Sequence, residues 1–129
     1  MNPKEYVEGA LRTNAPVDKV LDRLVDEPKK IQLLHAFIGM TTEVGELFDA
    51  FKKHLFYGKP LDLVNISEEI GDLFWYVALA LDYIGLDFET VMAQNNAKLK
   101  ARFPDKFTEE AATNRDLRKE REILENAQG

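Results

Sequence analysis

The chain contains no cysteine, which excludes disulfides, zinc–thiolate centres and thiol nucleophiles and fits a reducing cytoplasm. It also lacks any run approaching the roughly 20 apolar residues that a membrane helix needs. Its first residues, Met1-Asn2-Pro3-Lys4-Glu5, carry neither the basic region nor the apolar stretch of a signal peptide. A soluble, cytoplasmic protein without a membrane partner is therefore expected. Positive charge is in deficit, with 17 Lys and Arg against 23 Asp and Glu and a net charge of -6. Proteins that coat a nucleic-acid polymer normally show a basic patch, so no such partner is expected. A nucleotide remains a possible ligand, because a bound cation can invert the local field. β alternation, internal repeats and low-complexity tracts are absent as well.

What is present reads as helix. At 129 residues with 45% hydrophobic residues, the chain fits one domain with a core of its own. Pro3 and Pro16 precede short amphipathic runs, about Lys4 to Arg12 and Val17 to Val25, in keeping with the place of proline in a first helical turn. Pro28 opens a longer run in which Leu34, Ile38, Leu47, Phe48, Phe51 and Leu55 recur mostly every three or four residues, until Tyr57-Gly58-Lys59-Pro60 stops it. Ile66, Ile70, Leu73, Val77, Leu81 and Ile84 make a second stripe that ends at Gly85. Phe74, Trp75, Leu79 and Ala80 widen that apolar surface beyond one face, which predicts burial against another subunit, as a homodimer or homotetramer. A third run covers about Phe88 to Arg102, and a charged one about Glu109 to Asn126. The expected fold is all-α, an antiparallel helical bundle.

Two acidic pairs stand out, Glu43-Val44-Gly45-Glu46 and Glu69-Ile70-Gly71-Asp72. Spacing of i,i+3 puts both carboxylates of a pair on one helix face. Four acids brought between two helices repel one another and either hold protons or bind a cation, and hard divalent ions prefer oxygen shells. In the second long run Asn65, Glu69, Asp72 and Tyr76 form a polar seam beside the apolar stripe, and in the first His35, Gly39, Glu43 and Glu46 follow the same progression. Gly39 and Gly45 weaken a helix by about 1 kcal/mol each relative to Ala, so something is expected to approach closely there. In the third run Asn95, Lys98 and Arg102 share a face and offer donors suited to phosphate oxygens or a base edge.

These residues resemble the MazG-like all-α nucleoside triphosphate pyrophosphohydrolases, whose signature is EExxE, a spacer, then ExxD. The match here is Thr42-Glu43-Val44-Gly45-Glu46, a 22-residue spacer, then Glu69-Ile70-Gly71-Asp72, with Thr42 in place of the first Glu. It extends over His35-Ala36-Phe37-Ile38-Gly39, Lys52-Lys53 and Lys98-Leu99-Lys100-Ala101-Arg102-Phe103-Pro104, spanning roughly residues 30 to 107. The resemblance implies one MazG-like domain over residues 1–129: an N-terminal helical arm at 1–27, catalytic helices at 28–107 and a charged C-terminal helix at 108–129.

It further implies hydrolysis of a nucleoside triphosphate, a dNTP in the nearest-looking members, to the monophosphate and pyrophosphate, with Mg²⁺ or in its place Mn²⁺. Glu43, Glu46, Glu69 and Asp72 would be the metal ligands, with Glu46 and Glu69 catalytic and Glu46 the chosen base. His35, Tyr76, Asn95, Lys98 and Arg102 would contact substrate, with Phe37 or Trp75 available for stacking. Blander roles stand beside these. His35 suits a structural histidine, Tyr76 and Trp75 a core or interface, Glu68 solvent, the charged C-terminal segment a solvated helix or an arm embracing another subunit, and Lys52 and Lys53 a helix C-terminus. Two rival readings also remain: a non-enzymatic helical interaction module, and a di-metal carboxylate bundle. The latter expects Glu-x-x-His, whereas Gln32 and Phe51 stand three residues before His35 and His54.

Overall fold

The computed structural model describes residues 2–126; residue 1 of the expected arm and residues 127–129 of the expected C-terminal helix lie outside the described residues. The described residues are 81% helical and contain no strand, as the all-α expectation requires. Helix α1 (Pro3–Thr13) begins with a capping box, in which Asn2 Oδ1 accepts from the Glu5 backbone at 2.9 Å and Glu5 accepts from the Asn2 backbone at 3.0 Å. Helix α2 (Val17–Asp26) follows, then the long α3 (Lys30–Tyr57) and α4 (Leu63–Ile84). Gly58 and Gly85 close these two with left-handed φ of 67° and 69°, a conformation that favours glycine and frees the chain to turn. Asp62 caps the start of α4 by accepting from Val64 and Asn65, each at 3.1 Å. Helix α5 (Phe88–Arg102) starts on an equivalent bond, Thr90 N–H to Asp87 Oδ1 at 2.7 Å.

The C-terminal run differs from the expectation of one helix. It divides into α6 (Glu109–Thr113) and α7 (Leu117–Asn126). Thr108 caps α6 by accepting from Ala111 at 3.1 Å, and Asp116 accepts from the Lys119 backbone at 3.0 Å, so a second helix start interrupts the charge pattern. The segment is not wholly solvated either, because Glu120 is buried against α5 between Arg102 and Arg115.

Helices α3 and α4 pack along their lengths and run antiparallel. Near the start of α3, Gln32 Nε2 donates to the Leu79 carbonyl at 2.9 Å and to Asp82 Oδ2 at 2.8 Å, close to the end of α4. Further on, Glu43 meets Glu69 and Asp72. The second extended contact joins α5 to α7.

Little of this chain's apolar surface is covered by the chain itself. Among the described residues the buried apolar set is Ala36 and Leu81, while Phe37, Ile38, Phe48, Phe51, Phe74 and Trp75 are exposed. A compact monomer of 14.8 kDa would expose about 7,000 Å² by size scaling. This chain exposes 10520 Å², an excess of about 3,500 Å² over that scaling. Among the described residues no helix is long and apolar enough to cross a membrane.

Candidate metal centre

The antiparallel register of α3 and α4 brings one carboxylate oxygen each of Glu43, Glu69 and Asp72 within 4.8 Å of one another. Glu43 and Glu69 are buried and Asp72 is exposed, so the group opens to solvent on one side. Loss of water pushes the Glu43 carboxyl above its ordinary range, and the hydrogen bond it shares with Glu69 and the charges of Glu46, Asp72 and Glu69 push it the same way. Glu46 is exposed and lies outside the tight three-residue group, near enough for its charge to act on Glu43.

Other acids of this chain are neutralised by neighbours. Asp49 pairs with Lys52 and Lys53 at 2.7 Å each, which holds it down to about 2 and accounts for both lysines on the exposed end of α3. Glu120 pairs with Arg102 at 2.6 Å and Arg115 at 2.7 Å and is likewise held at about 2. Among the described residues no Lys or Arg pairs with Glu43, Glu69 or Asp72. Three convergent carboxylates without a protein cation, two of them buried, match the all-oxygen donor set of a hard divalent ion.

One supporting residue was visible on the seam but not assigned a role from sequence. Asn65 Nδ2 donates to Glu69 Oε1 at 2.7 Å and so fixes the Glu69 carboxylate from one turn away on α4. Its i,i+4 spacing from Glu69 was the available signal. Glu68 is exposed, as its offset from the seam predicts.

An aromatic corner adjoins the acids. The Tyr76 ring meets the His35 ring edge-on at 5.5 Å and the Trp75 ring at 5.0 Å, with His35 and Trp75 centroids 6.2 Å apart. His35 and Trp75 also line an open basin with Lys29, Ile31 and Gln32. The close approach expected at Gly39 exists, because the Tyr76 ring lies against it. At Gly45 none of the described residues, its own helix backbone and chain neighbours aside, comes within 4 Å of the position a Cβ would take, so the same expectation fails there.

Helix α5 stands apart from this corner. Asn95 is exposed and Lys98 half-buried, and among the described residues no hydrogen bond or ion pair joins either to the acids. Arg102 is engaged elsewhere, donating from Nε and Nη2 to both oxygens of Glu120 at 2.8 and 2.6 Å. That partner lies 18 positions along the chain, beyond the reach of any local pattern.

A family model described as MazG nucleotide pyrophosphohydrolase domain matches residues 33–107. No curated protein and no solved structure matches the chain. The matched span holds both acidic pairs, the aromatic corner and all of α5, and leaves out α1, α2, α6 and α7.

Proposed function

The chain belongs to the MazG nucleotide pyrophosphohydrolase family, and on that premise we propose that it hydrolyses a nucleoside triphosphate, by preference a dNTP, to the monophosphate and pyrophosphate. The observation that carries this reading is the convergence of Glu43, Glu69 and Asp72 with, among the described residues, no Lys or Arg paired to them. These three carboxylates, joined by Glu46 from the exposed side, would hold Mg²⁺, with Mn²⁺ as a substitute. When bound, such an ion neutralises phosphate charge and lowers the pKa of a coordinated water.

The remaining roles fall to side chains. Glu46, exposed beside the cluster and outside its tight three-residue group, takes the proton of the attacking water. Glu69, fixed by Asn65, holds its oxygens in one orientation throughout. Tyr76 offers a phenol hydroxyl to phosphate one turn along α4 from Asp72, and His35 with Trp75 offers ring surface to a base. Lys98 and Arg102 for phosphate oxygens and Asn95 for the base or sugar are the roles the family resemblance implies, and they require α5 to approach the acids from which it stands apart in the single chain.

The active unit is a homodimer or homotetramer of one-domain chains, supported by the apolar surface left open along α3 and α4. Residues 1–27 are an arm, 28–107 the catalytic helices and 108–129 a charged C-terminal segment. The setting is cytoplasmic nucleotide-pool housekeeping, without a nucleic-acid polymer or membrane as partner. Pyrophosphate release from each of the eight natural NTPs and dNTPs, with and without Mg²⁺, tests the reading. Release from at least one dNTP that stops on chelation is expected; no release from any of the eight would overturn it.

A further inference from the structure

We propose that Gly39 and the Tyr76 ring set the separation of α3 and α4 at the carboxylate cluster, which makes Gly39 a positioning residue for the divalent cation. The inference rests on the reading of Glu43, Glu69 and Asp72 as cation ligands. Gly39 lies one turn before Glu43 on α3, and Tyr76 lies one turn after Asp72 on α4. Because the helices run antiparallel, the Gly39–Tyr76 contact sits one turn from the level at which the carboxylates meet.

A Cβ at Gly39 would lie 2.1 Å from Tyr76 Cε1, 2.2 Å from Cδ1 and 2.3 Å from Cζ. Carbon atoms in contact need about 3.5 Å or more, so a methyl group requires a displacement exceeding about 1 Å. Moving the ring also moves its edge-on neighbours Trp75 and His35, which meet it at interplanar angles of 86° and 80°. The Gly39 backbone is tied as well, its carbonyl accepting from Thr42 Oγ1 at 2.8 Å. Thr42 is the residue that replaces the first Glu of the acidic signature, and its hydroxyl serves the helix at this point.

Displacement must therefore spread into the spacing of the two helices. The carboxylate oxygens lie within 4.8 Å of one another. Mg²⁺ requires bonds of about 2.0–2.1 Å, which places opposite ligand oxygens about 4.1 Å apart. An opening of about 1 Å one turn away moves the donors in the unfavourable direction.

Mn²⁺ affinity without nucleotide, read from the paramagnetic resonance of the free ion, provides the test. The full-length chain would be compared with Gly39→Ala, Gly45→Ala, Tyr76→Ala and the double variant Gly39→Ala/Tyr76→Ala, with helicity checked by circular dichroism. Gly39→Ala is expected to weaken Mn²⁺ binding roughly 10- to 100-fold, the range of lost supporting contacts, and Gly45→Ala to leave it unchanged. Removing the ring should restore the double variant to the affinity of Tyr76→Ala alone. Equal affinity in Gly39→Ala and Gly45→Ala would overturn the inference, as would a double variant weaker than Tyr76→Ala. If Gly39→Ala does not fold, the comparison of the double variant with Tyr76→Ala still decides. A wild-type chain that binds no Mn²⁺ overturns the cation reading itself, a separate outcome from a Gly39 effect that is missing.

Discussion

Phe48 should be a principal contact between copies of this chain, and its truncation should separate them. Its side chain sits in a wholly apolar groove with Val44, Leu47, Phe51 and Ile66, yet 71% of the residue is exposed. For an aromatic residue that buries roughly 200 Å² when covered, this leaves about 140 Å² available to a partner. At about 25 cal/mol per Å² covering it contributes about 3.5 kcal/mol, of which Phe48→Ala removes about 2–3 kcal/mol because Cβ remains. In a two-fold dimer each interface carries the change twice. The dissociation constant should then rise by roughly 10³- to 10⁴-fold. The isolated chain should lose little, since Phe48 makes no ring contact within it among the described residues. Sedimentation equilibrium over nanomolar to micromolar concentrations measures both proteins. A wild-type chain that is monomeric at micromolar concentration, or a Phe48→Ala variant that dissociates at the same concentration as wild type, would show that Phe48 is no such contact.

The α5–α7 contact should respond to acid. Arg102 and Arg115 depress the Glu120 carboxyl from 4.5 to about 2, so its contribution is fully present above 4.5 and is lost as pH falls toward 2. The difference in Tm between wild type and Glu120→Gln should be constant from pH 7 to 5 and shrink below that; a difference independent of pH down to 2.5 would contradict the pairing. Asn65→Ala should lower metal affinity roughly 10- to 100-fold by releasing Glu69, measured by calorimetry with Mn²⁺, whereas unchanged affinity would mean that Glu69 needs no support from Asn65.

The parts of the fold set by neighbouring residues were legible in sequence. Helix α5 was expected over Phe88 to Arg102 and is found there, because Asp87 caps its start and Phe103-Pro104 ends it. The ends of α3 and α4 were announced by Gly58 and Gly85, the residue type that a left-handed cap favours. The break at 114–116 was not seen, because charge continues through it and Asp116 looks like one more acid until its oxygen is found on the Lys119 amide. At the site, i,i+3 spacing identified the four acids, but only the register between helices decides which oxygens converge. Glu43, Glu69 and Asp72 do so, and Glu46 stays outside. The same limit applies to Gly39, whose need for space was visible while its partner Tyr76 was not, and to Arg102, whose local face suggested phosphate while Glu120 now holds it.

The proposed cation site for triphosphate hydrolysis rests on Glu43, Glu69 and Asp72. Its most direct measurement is pyrophosphate release by Glu69→Gln and Asp72→Asn, each isosteric with the acid it replaces, beside calorimetric titration with Mg²⁺ and a nonhydrolysable dNTP. Both variants should keep their helical content, be as stable as wild type or slightly more so without metal because like charges are relieved, and lose turnover and Mg²⁺-dependent nucleotide binding. Turnover at the wild-type rate in both variants would contradict the assignment.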